Sequence, residues 1–125
     1  MAVKDSRRFV AIIDDDDSIR SALKDLMEES GFDAFACASA EDFLKSDDKE
    51  KTACLVTDIR MPGMSGLELQ LKLNADHQKI PIIFITAHGD EDIRLRAMRA
   101  GAVEFMAKPF DDVALIECVR AALSR

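Results

Sequence analysis

Carboxylates and one ammonium stand at the ends of three apolar runs. Val10-Ala11-Ile12-Ile13 runs into Asp14-Asp15-Asp16-Asp17, Cys54-Leu55-Val56-Thr57 into Asp58, and Val103 to Ala107 into Lys108-Pro109. If the runs are neighbouring parallel strands, their C-terminal ends set these charges along one rim of a sheet, where ligands bind in open α/β folds. Converging carboxylates repel one another, so the cluster demands a cation and a lysine counter-charge. Asp14, Asp15 and Asp58 suit Mg²⁺, a hard ion that takes oxygen ligands octahedrally and keeps several waters, with Mn²⁺ as a substitute. The spaced ligands of a Ca²⁺ loop are absent, and Zn²⁺ lacks a His or Cys set, since His77 and His88 lie apart in the chain. Thr86, at the exit of a fourth run, adds a hydroxyl. A carboxylate, a divalent cation, an ammonium and a hydroxyl around one point can receive a phosphoryl group.

Each of these residues also has a plainer reading. Asp16 and Asp17 read as an acidic turn capping a helix before Ser18, and Asp14 and Asp15 could belong to the same turn. Asp58 argues otherwise, because no helix begins for several residues after it. A lysine leaving a strand is usually a solvated end residue. Lys108, however, shares its rim with three carboxylates, and Pro109 fixes the backbone that follows. A cis Lys108–Pro109 bond is expected there, turning the chain while holding the ammonium over the site.

The elements that must position these groups alternate from end to end. Phe9 to Ile13, Phe32 to Cys37, Ala53 to Thr57, Ile80 to Ile85 and Val103 to Ala107 read as strands, with Ala53 to Thr57 at the centre. Ser18 to Ser30 has helical period, with Ile19, Ala22, Leu23, Leu26 and Met27 on one stripe, Asp17 or Ser18 as cap and Gly31 at its end. Ser39-Ala40-Glu41-Asp42 opens a second helix with acidic first-turn residues. Met61-Pro62-Gly63-Met64-Ser65-Gly66 is a tight loop before the helix holding Leu67, Leu69, Leu71 and Leu73. Asp90 to Ala100, closed by Gly101, and Asp111 to Leu123 complete the set. Five βα units in one domain spanning residues 1–125 predict an α/β fold: a doubly wound, five-stranded parallel sheet of flavodoxin-like topology.

Composition narrows the function classes. Seventeen Lys and Arg against 24 Asp and Glu give a formal charge of -7, so direct nucleic-acid binding and anionic membranes are disfavoured. Apolar stretches are far shorter than the ~20 residues a bilayer requires. Cys37, Cys54 and Cys118 are odd in number and widely spaced, and no signal peptide precedes Asp5. The expectation is reduced thiols in a cytoplasmic protein.

At this point the chain resembles the receiver domain of two-component response regulators, especially the branch often joined to a helix-turn-helix DNA-binding domain. The resemblance spans Phe9 to Leu123. Ile12 to Asp16, Val56 to Gly66, Ile85-Thr86-Ala87 and Ala107-Lys108-Pro109-Phe110 occur in the family's order and spacing. It implies that Asp58 is the phosphoryl acceptor and that Asp15, Asp58 and the Arg60 backbone carbonyl ligate Mg²⁺, with Asp14 holding its water shell. Lys108 and Thr86 would contact the phosphoryl oxygens. The implied switch moves the Thr86 hydroxyl towards the phosphate as Phe105 turns inward; otherwise Phe105 is simply an edge-strand packing residue. The donor would be a sensor histidine kinase.

Further expectations concern lifetime and output. Arg60 and His88 each lie two positions beyond a site residue and are candidates for shielding the phosphate or orienting water. A phosphorylation-promoted homodimer is expected through the fourth helix, fifth strand and last helix. There Ile93, Ala97 and Ala100 would face the sheet and Met98 would stay outside the core. Arg94 and Arg99 would then meet Asp112 and Glu117 of a second copy. A DNA-binding output domain could follow Arg125 in a longer protein. Two other readings are weaker. A Mg²⁺-dependent phosphatase would need an acid two residues after its nucleophile, where Arg60 stands, and a flavin carrier would need a phosphate cradle instead of an acidic first loop.

Overall fold

The computed structural model describes residues 8–87 and 90–124. Strands and helices alternate as β1 (Phe9–Ile13), α1 (Asp17–Glu29), β2 (Asp33–Cys37), α2 (Ala40–Lys45), β3 (Thr52–Thr57), α3 (Gly66–Ala75), β4 (Ile82–Thr86), α4 (Glu91–Arg99), β5 (Glu104–Ala107) and α5 (Asp112–Leu123). A short 3₁₀ turn at Lys49–Lys51 leads into β3. The strands form one parallel sheet in the order β2-β1-β3-β4-β5. This is the expected doubly wound α/β arrangement, and β3 is its centre.

Continuous apolar runs are what a sheet covered on both faces requires. Alternate residues of each strand feed two separate core layers. Ala11, Ile13, Leu55 and Phe84 pack with Phe43 of α2, Leu69 and Leu73 of α3, and Ala97 of α4. Val10, Ile12, Val56, Ile83 and Ile85 pack on the opposite face with Leu23 and Met27 of α1 and Leu115, Val119 and Ala122 of α5. Every residue of β3 is buried, so whatever leaves its C-terminal end leaves a rigid element.

Local details depart from expectation in three places. The cap of α1 is Asp16, whose side chain accepts from Ile19 N at 3.0 Å, and not Asp17 or Ser18. Asp14 Oδ1 accepts from Asp16 N at 2.9 Å, and that Asx-type turn starts the helix one residue early. Asp17 then pairs with Arg20 on the helix surface. In α3, the helix expected to hold four leucines, Leu67, Leu69 and Leu73 are buried while Leu71 is 56% exposed. Met98 is half-buried and packs on the core, not outside it as expected; an unbranched, adaptable side chain suits such a partly covered position. Ala97 and Ile93 face the core as expected, whereas Arg94 is held by Glu91 of its own helix at 2.7 Å.

Cys37, Cys54 and Cys118 are free thiols. Burial, with a smaller contribution from Cys118, pushes the Cys54 thiol up to about 12. Among the described residues no helix is long and apolar enough to cross a membrane.

Candidate phosphoryl and metal site

The neighbouring registers of β1 and β3 bring Ile13 opposite Thr57, so the residues after them, Asp14 and Asp58, emerge side by side. Asp58 N donates to Ile13 O at 3.1 Å and locks that exit. Lys108 arrives from β5, the far edge of the sheet. Its own N–H donates to Thr86 O at 3.0 Å, and its side chain reaches back past β4. Nζ then donates to Asp58 Oδ2 at 2.8 Å and to Asp14 Oδ2 at 3.0 Å. The Lys108–Pro109 bond is cis, as expected.

The three groups differ in their surroundings. Asp14 is 2% exposed, and its other oxygen receives Asp16 N. Asp58 Oδ1 receives Ile59 N at 2.6 Å, which leaves Oδ2 turned to the ammonium. Burial alone would lower the Lys108 ammonium, but hydrogen bonds to Asp58 and Asp14 and their charges outweigh it and hold the group above the ordinary lysine value.

Asp15 is exposed, yet one carboxylate oxygen each from Asp14, Asp15 and Asp58 lie within 4.8 Å of one another. Three carboxylates against one ammonium leave two formal negative charges in this space. An all-oxygen donor set with that residual charge fits a divalent hard cation such as Mg²⁺ or Mn²⁺.

Thr86 ends β4 between the carboxylates and Lys108 and is buried. Arg60 is exposed in the loop after Asp58. Phe105 is half-buried on edge strand β5, opposite Phe84 in the register, with ring centroids 6.4 Å apart. His88 lies outside the described residues.

Two groups escape a linear reading. Glu41, which looks like an ordinary first-turn acid of α2, accepts from Met64 N in the β3–α3 loop at 3.1 Å. Gln70, hidden among leucines, is 2% exposed and donates to Ala97 O of α4 at 2.9 Å. Each partner lies more than twenty residues away, and nothing in the local pattern announces it.

Comparison with known proteins places this geometry. The profile of the family described as "Response regulator receiver domain" matches residues 10–120. The transcriptional regulatory protein FixJ of Azorhizobium caulinodans is 47% identical over 116 residues, 93% of this chain and 55% of its own length. The solved structure of response regulator StyR aligns with a TM-score of 0.86 at 45% identity, over 94% of this chain and 60% of that one. The crystal structure of FixJ-N aligns with a TM-score of 0.85 at 40% identity, over 94% of each chain. The chain spans about half the length of the curated relatives it matches. Since the profile runs from β1 into α5 and takes in all three charged strand ends, the chain belongs to the response regulator receiver domains.

Proposed function

We propose that this chain is the phosphoryl-accepting module of a phosphorelay and that Asp58 is the acceptor. The observation that carries the reading is the placement of Asp58 Oδ2 beside Lys108 Nζ at 2.8 Å, next to buried Asp14, at the end of the central strand. A carboxylate there is fixed in direction by the Ile59 N–H on its other oxygen. It attacks phosphorus of a phosphohistidine on a sensor histidine kinase. The new O–P bond forms as the N–P bond breaks, and the imidazole leaves and takes a proton from solution. Lys108 follows the charge onto the phosphoryl oxygens, and the Thr86 hydroxyl donates to one of them. Hydrolysis later returns the carboxylate and releases phosphate.

Asp14, Asp15, Asp58 and the Arg60 backbone carbonyl are the groups that would hold Mg²⁺ or Mn²⁺. Bound there, the ion would supply positive charge to the phosphoryl oxygens. Arg60 and His88 are assigned to governing access of water to the acyl phosphate. Thr86 and Phe105 are assigned to the switch, which re-sets the surface of α4, β5 and α5 for pairing with a second copy or for control of a DNA-binding domain in a longer protein. Work in the cytoplasm beside the sensor kinase fits this role.

The test is direct. Incubation with acetyl phosphate and Mg²⁺ is expected to add one phosphoryl group, read by intact-protein mass spectrometry and removed by hydroxylamine. Asp58→Asn is expected to abolish it. Equal labelling of the variant, or a label that survives hydroxylamine, ends the assignment.

A further inference from the structure

The loop from Asp58 to Gly66 is closed upon itself. Gly66 N donates to Ile59 O at 2.8 Å. Ser65 and Glu68 exchange side-chain and backbone hydrogen bonds in a capping box at the start of α3. Gly66 sits so close to the strand exit that a Cβ there would lie 2.2 Å from the Asp58 carbonyl oxygen. These contacts fix the two ends of the loop to each other and to β3. Between those ends Met61 is buried and the Met64 side chain packs on the core, which leaves the outer backbone around Gly63 and Met64 to be held by a further contact.

Glu41 holds it. Ala40 and Phe43 are fully buried and anchor the short helix α2 against the sheet, which presents Glu41 to the loop. Glu41 Oε2 accepts from Met64 N at 3.1 Å across 23 residues of chain. Gly63 adopts φ +77, and a Cβ on it would lie 2.4 Å from Glu41 Oε2. The loop backbone therefore passes directly over the carboxylate. Among the described residues Glu41 Oε1 is buried without a hydrogen-bond partner, an arrangement that costs stability.

We propose that Glu41 is a positioning residue for the metal site: from α2 its carboxylate clamps the Met64 amide and so sets the loop that carries the Arg60 carbonyl beside Asp14, Asp15 and Asp58. The inference rests on the phosphorelay reading above for what the site binds. The clamp is charge-assisted, and such bonds are about twice as strong as neutral ones. Its loss loosens the loop between its fixed ends while every carboxylate of the site remains in place. Metal affinity then falls, although the chemistry available at saturating metal does not.

Mg²⁺ titration by calorimetry and amide hydrogen exchange of Met64 by NMR test this on the parent, Glu41→Ala and Glu41→Gln. Glu41→Ala is expected to raise the Mg²⁺ dissociation constant about tenfold, the worth of one such bond, and to speed exchange at Met64. Labelling by acetyl phosphate should then need correspondingly more Mg²⁺ yet reach the parental rate at saturation. Glu41→Gln keeps a neutral acceptor for Met64 and buries an amide where no acceptor waits among the described residues. It should therefore lose thermal stability while weakening Mg²⁺ binding only about threefold, half the free energy lost in Glu41→Ala, a split that a merely structural residue would not give. Gly63→Ala attacks the same contact from the loop side and is expected to weaken Mg²⁺ binding even if Glu41→Ala does not fold. Parental Mg²⁺ affinity in folded Glu41→Ala or in Gly63→Ala overturns the inference alone. A parent that neither binds Mg²⁺ nor takes a label overturns the phosphorelay reading and this inference with it.

Discussion

Lys108 stabilises the fold by standing between two carboxylates that would otherwise face each other across the β1 and β3 exits. Lys108→Met leaves the buried Asp14 oxygen without its donor and is expected to cost about 1–3 kcal/mol, read in urea melts without metal. Because the folded ammonium binds its proton more tightly than an ordinary lysine, its contribution is complete below the unfolded value of about 10.4 and is lost as pH rises through the higher folded value. The stability gap between parent and variant should therefore be constant from pH 7 to 9 and shrink in more alkaline buffer. Asp15 has the opposite sign. It is exposed and adds repulsion to Asp14 and Asp58, so Asp15→Asn should raise the metal-free melting temperature. The repulsion removed is on the order of 1 kcal/mol at a watery dielectric, and thermal shift in Mg²⁺ should fall in the same variant. These residues were legible because charge at a strand end has no local use. Glu41 was not, because an acid in the first turn of a helix already has one.

Helix α3 shows what an element can conceal. Leu67, Leu69, Leu71 and Leu73 recur with a period of two, which cannot lie on one side of a helix. The buried residues are Gly66, Leu67, Leu69, Gln70 and Leu73, a helical spacing in which a polar residue occupies a core position. Gln70 can do so because its amide reaches the Ala97 carbonyl of α4. Leu69→Ala is accordingly expected to cost about 2–5 kcal/mol and Leu71→Ala close to nothing, a contrast that chemical denaturation would resolve. Ser65→Ala removes one half of the capping box and should cost ~1 kcal/mol. The strands were readable almost to the residue, since burial on both faces writes a continuous apolar run. Helix starts were less so: with four successive Asp residues any of several could cap α1, and the Asp14 side chain makes the choice.

Over the whole molecule the order of units and the sheet topology followed from alternation of period and from right-handed crossovers. What linear reading could not supply was how tightly each surface packs, as Met98 shows on α4. With Met98 drawn onto the core and Arg94 tied to Glu91, the α4 surface is less open than its sequence suggests. The proposed pairing of two copies would therefore rest on a rearrangement that accompanies phosphorylation. Sedimentation velocity should show a monomer for the parent and a shift towards dimer with beryllofluoride, on the order of tens of micromolar protein. A monomer in both conditions would rule out pairing as the output of this isolated domain. The bonds from Lys108 to Asp58 and Asp14 close 50 and 94 residues of chain, so the site exists only once the last strand has joined the sheet. During synthesis from the N-terminus, the acids leave the ribosome well before the lysine that offsets them. A nascent or partly docked chain therefore carries the acids of the site without its ammonium. On the proposed reading, competence to take a phosphoryl group thus doubles as proof of completed assembly.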